Sequence, residues 1–97
     1  MKYEWDETKN FINKLKHKIS FEEAIGVFED TMAVTIYDEE HSENEERFII
    51  IGFDLKSRTL AVCHCYRGEN KEITRIISAR KATNAEIEIY KEENGII

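Results

Sequence analysis

Arg75-Ile76-Ile77-Ser78-Ala79-Arg80-Lys81-Ala82-Thr83 is the stretch that decides the fold, because a strand pattern hands over there to the start of a helix. Side chains alternate with period two along a strand, which sets Arg75 and Ile77 on one face and Ile76, Ser78 and Arg80 on the other. Thr83-Asn84-Ala85-Glu86 then reads as a capping box, in which hydroxyl and carboxylate satisfy otherwise unpaired amides of a last helix. A basic, hydroxyl-bearing strand end beside a helix N-terminus suits an anion such as a phosphate. Strict alternation leaves one conflict: Arg75 and Arg80 have opposite parity and line one site only if the strand bends or bulges near Ser78.

Upstream, residues 33–37, 47–53, 59–66 and 72–79 each read as strands, rich in β-branched residues and bounded by polar or turn-like links. Four consecutive strands with short connections predict an antiparallel meander, since parallel neighbours need crossovers of a dozen or more residues. Before them, Asp6 is placed to cap a helix in which Phe11, Ile12 and Leu15 sit at helical spacing, ending at the basic Lys14, Lys16, His17 and Lys18. Ser20-Phe21-Glu22-Glu23 is a second capping box and opens a helix whose buried stripe reads Phe21, Ala24, Ile25 and Phe28. The last helix runs from Asn84 to about residue 93, burying Ile87 and Tyr90, with Asn94-Gly95 as its stop. The expected class is α+β: two N-terminal helices, a four-stranded antiparallel sheet and a C-terminal helix, the helices covering a single face.

Ninety-seven residues with 41% hydrophobic content fit one domain over 1–97. No apolar run reaches 18 residues and no basic-then-apolar leader opens the chain, so the expectation is a cytoplasmic protein without a membrane segment. Cys63 and Cys65 are one residue apart in a strand, a spacing that suits neither a structural disulfide nor a zinc knuckle, and they are expected to be buried thiols. With His64 pointing to the other face, the three cannot converge on a metal, and neither a metal nor another cofactor is expected. Asp38, Glu39, Glu40, Glu43, Glu45 and Glu46 carry six negative charges, equal to the formal net charge of −6 of the whole chain. Residues 71–81 hold Lys71, Arg75, Arg80 and Lys81 against Glu72 alone. The molecule is therefore polarised, with a repelling acidic loop expected to be mobile and a basic strand end able to meet a nucleic-acid backbone.

Arginines in strands are costly unless paired or used, which singles out Arg47, Arg75 and Arg80. For Arg75 the alternative is a structural ion pair with Glu45 or Glu46. His17 and His64 are the histidines with a conceivable role, against the plainer readings of a helix-end cation and a satisfied sheet histidine. His41, within the acidic run, suggests only solvation.

Glu4-Trp5-Asp6-Glu7 with Lys9, Lys16-His17, Ser20-Phe21-Glu22-Glu23-Ala24, Val27-Phe28-Glu29-Asp30, Glu45, Arg47, Gly52 and the string from Arg75 to Thr83 with Glu86 and Tyr90 resemble the BrnT family of toxins. The resemblance implies a RelE-like fold and a type II toxin, an RNA endonuclease that inhibits translation by metal-independent cleavage. It also implies a BrnA-type antitoxin, a heterotetramer of two toxins and two antitoxins, and promoter DNA reached only through the antitoxin. The family's arginines fall on Arg47, Arg75 and Arg80, with Ser78 between the last two. Arg75 and Arg80 would bind phosphate and stabilise charge, Arg47 would position, Ser78 would orient, and Lys81, Arg67 and His17 would bind substrate. General base and acid stay open among His64, His17 and Glu45. Two loop positions depart from the family, Lys18 in place of a common glycine and Thr31 in place of a frequent proline. The rival reading is a non-catalytic protein- or nucleic-acid-binding module that acts as co-repressor with a DNA-binding partner.

Overall fold

A computed structural model describes residues 2–96. In chain order the elements are β1 (Lys2–Glu4), α1 (Glu7–His17), α2 (Phe21–Phe28), β2 (Val34–Tyr37), a 3-10 turn (Glu39–His41), β3 (Phe48–Phe53), β4 (Thr59–Arg67), β5 (Ile73–Lys81) and α3 (Asn84–Glu93). All three helix starts are those written in the sequence: Asp6 accepts from Thr8 and Lys9, and both capping boxes, Ser20 with Glu23 and Thr83 with Glu86, are closed.

The sheet corrects the four-stranded expectation. Among the described residues it has five strands in the order β1-β5-β4-β3-β2, and β1 runs parallel to β5, with Glu4 beside Arg75. The segment between them, which holds α1, α2 and the strands β2 to β4, is the long connection that parallel pairing demands. Only β2 to β5 form the predicted meander.

The helices also occupy both faces, not one. Ile19, Phe21, Ala24 and Val27 pack on Ile50, Leu60, Val62, Ile76 and Ala79, with Tyr3, Trp5, Ile25 and Phe28 around them. Burying each large apolar side chain contributes about 2 kcal/mol. α3 lies against the other face, where the Tyr90 ring meets Phe53 at 5.6 Å, edge to face. Phe53 alternates with Gly52, which belongs to the face of Ile50.

β5 contains the bulge on which the parity conflict turned. Cys63 pairs with Ser78 but His64 pairs with Ile76, so Ile77 is an extra residue on β5. Arg75 sits opposite Cys65 and Arg80 opposite Ala61, and Cys65, Cys63 and Ala61 share one face of β4. The bulge therefore returns Arg75, Ser78 and Arg80 to the same side of the sheet.

Residues 38–46, expected to be mobile, are tied down. Asp38 N–H donates to the Arg47 carbonyl at 2.9 Å, the Ser42 hydroxyl donates to the Asp38 carbonyl, and Arg47 N–H donates to Ser42 Oγ at 3.0 Å. The Ser42 hydroxyl and the backbone bond between Asp38 and Arg47 together hold the loop against its own charge repulsion.

Both departures from the family pattern fall in turns. Asp30 accepts from Ala33 N–H across a four-residue turn, so position 31 is one that proline suits but does not need. Lys18 closes α1 in the left-handed region with φ of 62°, its N–H bonded to the Lys14 carbonyl. Glycine reaches that conformation without the Cβ penalty. Lys18→Gly is expected to raise stability by roughly 0.5–1 kcal/mol, read from the urea midpoint at constant slope.

Glu23 couples α2 to the β3–β4 turn. The Lys56 ammonium, then the Ser20 amide and Arg58, hold its carboxyl at about 2 against an ordinary 4.5. A carboxyl depressed by folding stabilises fully above its unfolded value and loses that contribution as pH falls toward its folded one. Glu23→Gln should therefore be less stable than the parent at pH 7, with the gap closing between about pH 4.5 and 2 in parallel urea titrations.

Candidate active site

The sheet face shared by Arg75, Ser78 and Arg80 forms the floor of a hollow between the 38–47 loop and the strand β5. A cavity of about 300 Å³ is lined by Ile49, Ala61, Cys63, Ile77, Ser78 and Arg80 from the strands and by Asp38, Glu40, His41 and Arg47 from the loop. A second hollow, of about 430 Å³, lies under the loop and shares Glu40, His41 and Arg47 with the first. Arg47 thus stands on the boundary between the two.

The guanidiniums differ sharply in how they are held. Arg80 makes a two-point pair with Glu86, 2.7 and 3.0 Å, and Glu86 also accepts from Thr83 N–H. Burial pushes the Glu86 carboxyl up, but the hydrogen bonds from Arg80 and Thr83 outweigh it and the net direction is down. The Glu86 carboxylate in turn raises Arg80. Arg75 is bound at 2.7 Å by Glu4, the parallel neighbour that the four-stranded expectation lacked, so its ion-pair partner is neither Glu45 nor Glu46. Arg67 takes Glu45 at 3.0 Å. Arg47 is left with Glu45 at 3.7 Å, and its Nε is buried without a hydrogen-bond partner among the described residues. A buried, unsatisfied donor of this kind costs about 1–3 kcal/mol, more for a charged group.

His41 adds a titratable group to the rim. Its Nδ1 lies 2.9 Å from Asp38 Oδ2, and its side chain is 60% exposed while that of Asp38 is 10% exposed. A carboxylate at Nδ1 favours the tautomer with the proton there, which leaves Nε2 as the basic nitrogen. The same Asp38 oxygen is 4.0 Å from Cys63 Sγ. Burial, reinforced by Asp38, raises the Cys63 thiol, which stays protonated and donates to the carboxylate.

Of the residues expected from sequence, Arg47, Ser78 and Arg80 line one cavity. Arg75 and Arg67 share the sheet face farther along, each already paired. Lys81 alternates to the other side at the strand end, and His17 closes α1 beneath the opposite face. His64 points into the core, fully buried, with Phe28 at 5.0 Å and Tyr66 at 5.3 Å. Its Nδ1 donates to the Val62 carbonyl at 3.0 Å, its Nε2 accepts from the Tyr66 hydroxyl at 3.2 Å, and burial lowers its pKa. It is a satisfied neutral core histidine, apart from the cavity. His41 and Asp38 were missed because the acidic run hid them; the Asp-x-x-His spacing was the available signal.

A family model described as the ribonuclease toxin BrnT of a type II toxin–antitoxin system matches residues 5–86. The crystal structure of the Brucella abortus ribonuclease toxin BrnT superposes with a TM-score of 0.66 at 26% identity, covering 87% of this chain and 99% of that one. No curated protein matches the sequence. No helix among the described residues is long and apolar enough to cross a membrane.

Glu86 both caps α3 and neutralises Arg80, so Glu86→Ala is expected to destabilise the protein by roughly 2–4 kcal/mol, measured by thermal and urea unfolding.

Proposed function

The chain belongs to the BrnT family of type II toxins, and we propose that it is an endoribonuclease that arrests translation by cutting RNA without a metal ion. The observation that carries the reading is the convergence of Arg47, Ser78, Arg80 and His41 on one cavity, with the Nε of Arg47 buried and without a hydrogen-bond partner among the described residues. A guanidinium held only by a 3.7 Å contact to Glu45 is matched to phosphate oxygens, and its desolvation cost is recovered when an anion arrives. Arg47 and Arg80 hold the non-bridging oxygens and offset the charge that builds on phosphorus, and Ser78 orients one of them.

The base of this reaction is His41, a role that the sequence left open among His64, His17 and Glu45. Its Nε2 takes the proton of the RNA 2′-hydroxyl as that oxygen attacks the adjacent phosphorus, and Asp38 fixes the ring and stabilises the imidazolium. The bond to the 5′ oxygen breaks, the departing oxygen takes a proton from water, and a 2′,3′-cyclic phosphate remains. Arg75 and Arg67 continue the cationic row and take neighbouring phosphates when Glu4 and Glu45 release them. The antitoxin is of BrnA type, joined in a complex of two toxins and two antitoxins that reaches promoter DNA through the antitoxin alone.

Single-stranded RNA incubated with the protein in EDTA tests this. Wild type should cut, Arg47→Ala and Arg80→Ala should each lose about 100-fold or more, and His41→Gln should lose a comparable factor. Uncut RNA together with retained partner binding would instead identify a non-catalytic co-repressor module, and full activity of Arg47→Ala would remove the assignment.

A further inference from the structure

α1 is an amphipathic helix turned inside out. Its buried residues are Asn10 and Asn13, while Phe11, Ile12 and Leu15 are 59%, 53% and 61% exposed. At 100° per residue the two asparagines face one way and the three apolar side chains cluster on the opposite side. The inward asparagines are fully employed. Asn13 Nδ2 donates to the carbonyls of Ile19 and Ala79, its Oδ1 accepts from Ala79 N–H, and Asn10 Oδ1 accepts from Phe21 N–H while its Nδ2 donates to Glu22. The helix is therefore locked in this rotation by buried polar bonds, and the apolar stripe cannot roll inward without orphaning them.

We propose that this stripe is the seat of the toxin's protein antagonist, through a segment with an apolar face and acidic margins. The proposal rests on the toxin reading for the existence of that antagonist, and on the surface for its chemistry. Exposed Lys9 and Lys16 border the stripe on one side and Lys14 on the other, with Lys18 just beyond the helix end. Glu7, on the Lys14 margin, is engaged by Trp5 Nε1 and Asn10. An exposed apolar strip rimmed by charge marks an interaction site, and the lysine rims select a partner bearing Asp or Glu. A second copy of the chain would oppose lysines to lysines. An anionic lipid surface would meet a molecule with formal net charge −6. α1 packs on the face of the sheet away from the cavity, so a partner seated there leaves the RNA hollow open unless another part of it reaches round.

The probe is a BrnA-type antitoxin protein, purified separately and titrated calorimetrically into the toxin. Phe11→Asp combined with Leu15→Asp should weaken binding about 100-fold or more, with RNA cleavage and thermal unfolding close to wild type. Lys9→Glu combined with Lys16→Glu should weaken it about 10-fold and reduce its salt dependence. Phe11→Ser with Leu15→Ser repeats the test should the charged pair fail to fold. A dissociation constant within threefold of wild type for the aspartate or serine pair overturns the proposal, whether or not RNA is cut. So does absence of binding by wild type, a dimer in sedimentation that these substitutions dissolve, or binding to phosphatidylserine vesicles that they abolish. Loss of cleavage in wild type with these binding effects intact would instead count against the nuclease reading alone.

Discussion

Ile77 is one residue more than β4 can match, and the sidedness of the molecule follows from that mismatch. Before the bulge, β5 feeds Ile76 and Thr74 into the core; after it, Ala79 does the same, although straight alternation would have turned one of the two sets outward. The core requirement and the placement of Arg75, Ser78 and Arg80 on a common outer face are thus satisfied by a single inserted residue. Bulges re-aim side chains at the expense of one unpaired position, and here Ile77 lines the cavity it helps to create.

Around that face the charges are arranged so that each cation but one has a firm anionic partner among the guanidiniums considered. Glu86 holds Arg80, Glu4 holds Arg75 and Glu45 holds Arg67. These pairs fix the geometry of the long side chains before any ligand is present, which reduces the ordering cost of binding. Arg47 retains a nitrogen without a hydrogen-bond partner among the described residues, at the end of a loop in which the Ser42 hydroxyl accepts from the Arg47 backbone N–H. The polarity read from the charge runs is real in sequence but folded together in space: the acidic loop forms a wall of the same hollow as the basic strand end.

Local chemistry was legible wherever a few adjacent residues decide it. Capping at Asp6, Ser20 and Thr83 and the strand positions of β2 to β5 depend on neighbours in sequence, and they were read within one or two residues. What was not legible depends on distant partners. β1 is three residues long, and nothing in Lys2-Tyr3-Glu4 announces a parallel pairing with a strand seventy positions away. The rotation of α1 was hidden for the same reason: helical spacing of Phe11, Ile12 and Leu15 is the usual mark of a core face, and only the bonds of Asn13 to Ile19 and Ala79 reverse it. His41 was discounted because its surroundings are acidic in sequence, whereas in space it borders a half-buried arginine and a buried aspartate.

The parallel seat of β1 has a further consequence for the order in which the protein can be assembled during synthesis. β5 is flanked by the first strand of the chain on one side and by β4 on the other, and Asn13 is satisfied only by the backbone of Ala79 together with Ile19. Chains leave the ribosome N-terminal end first. The N-terminal fifth of the molecule therefore waits, without its sheet edge or the Ala79 backbone that Asn13 binds, until the last quarter has emerged, and Arg80 gains Glu86 only once α3 has followed. Contacts this distant in sequence make for slow closure. A nascent chain thus lacks the ordered arginine face until its translation is all but complete.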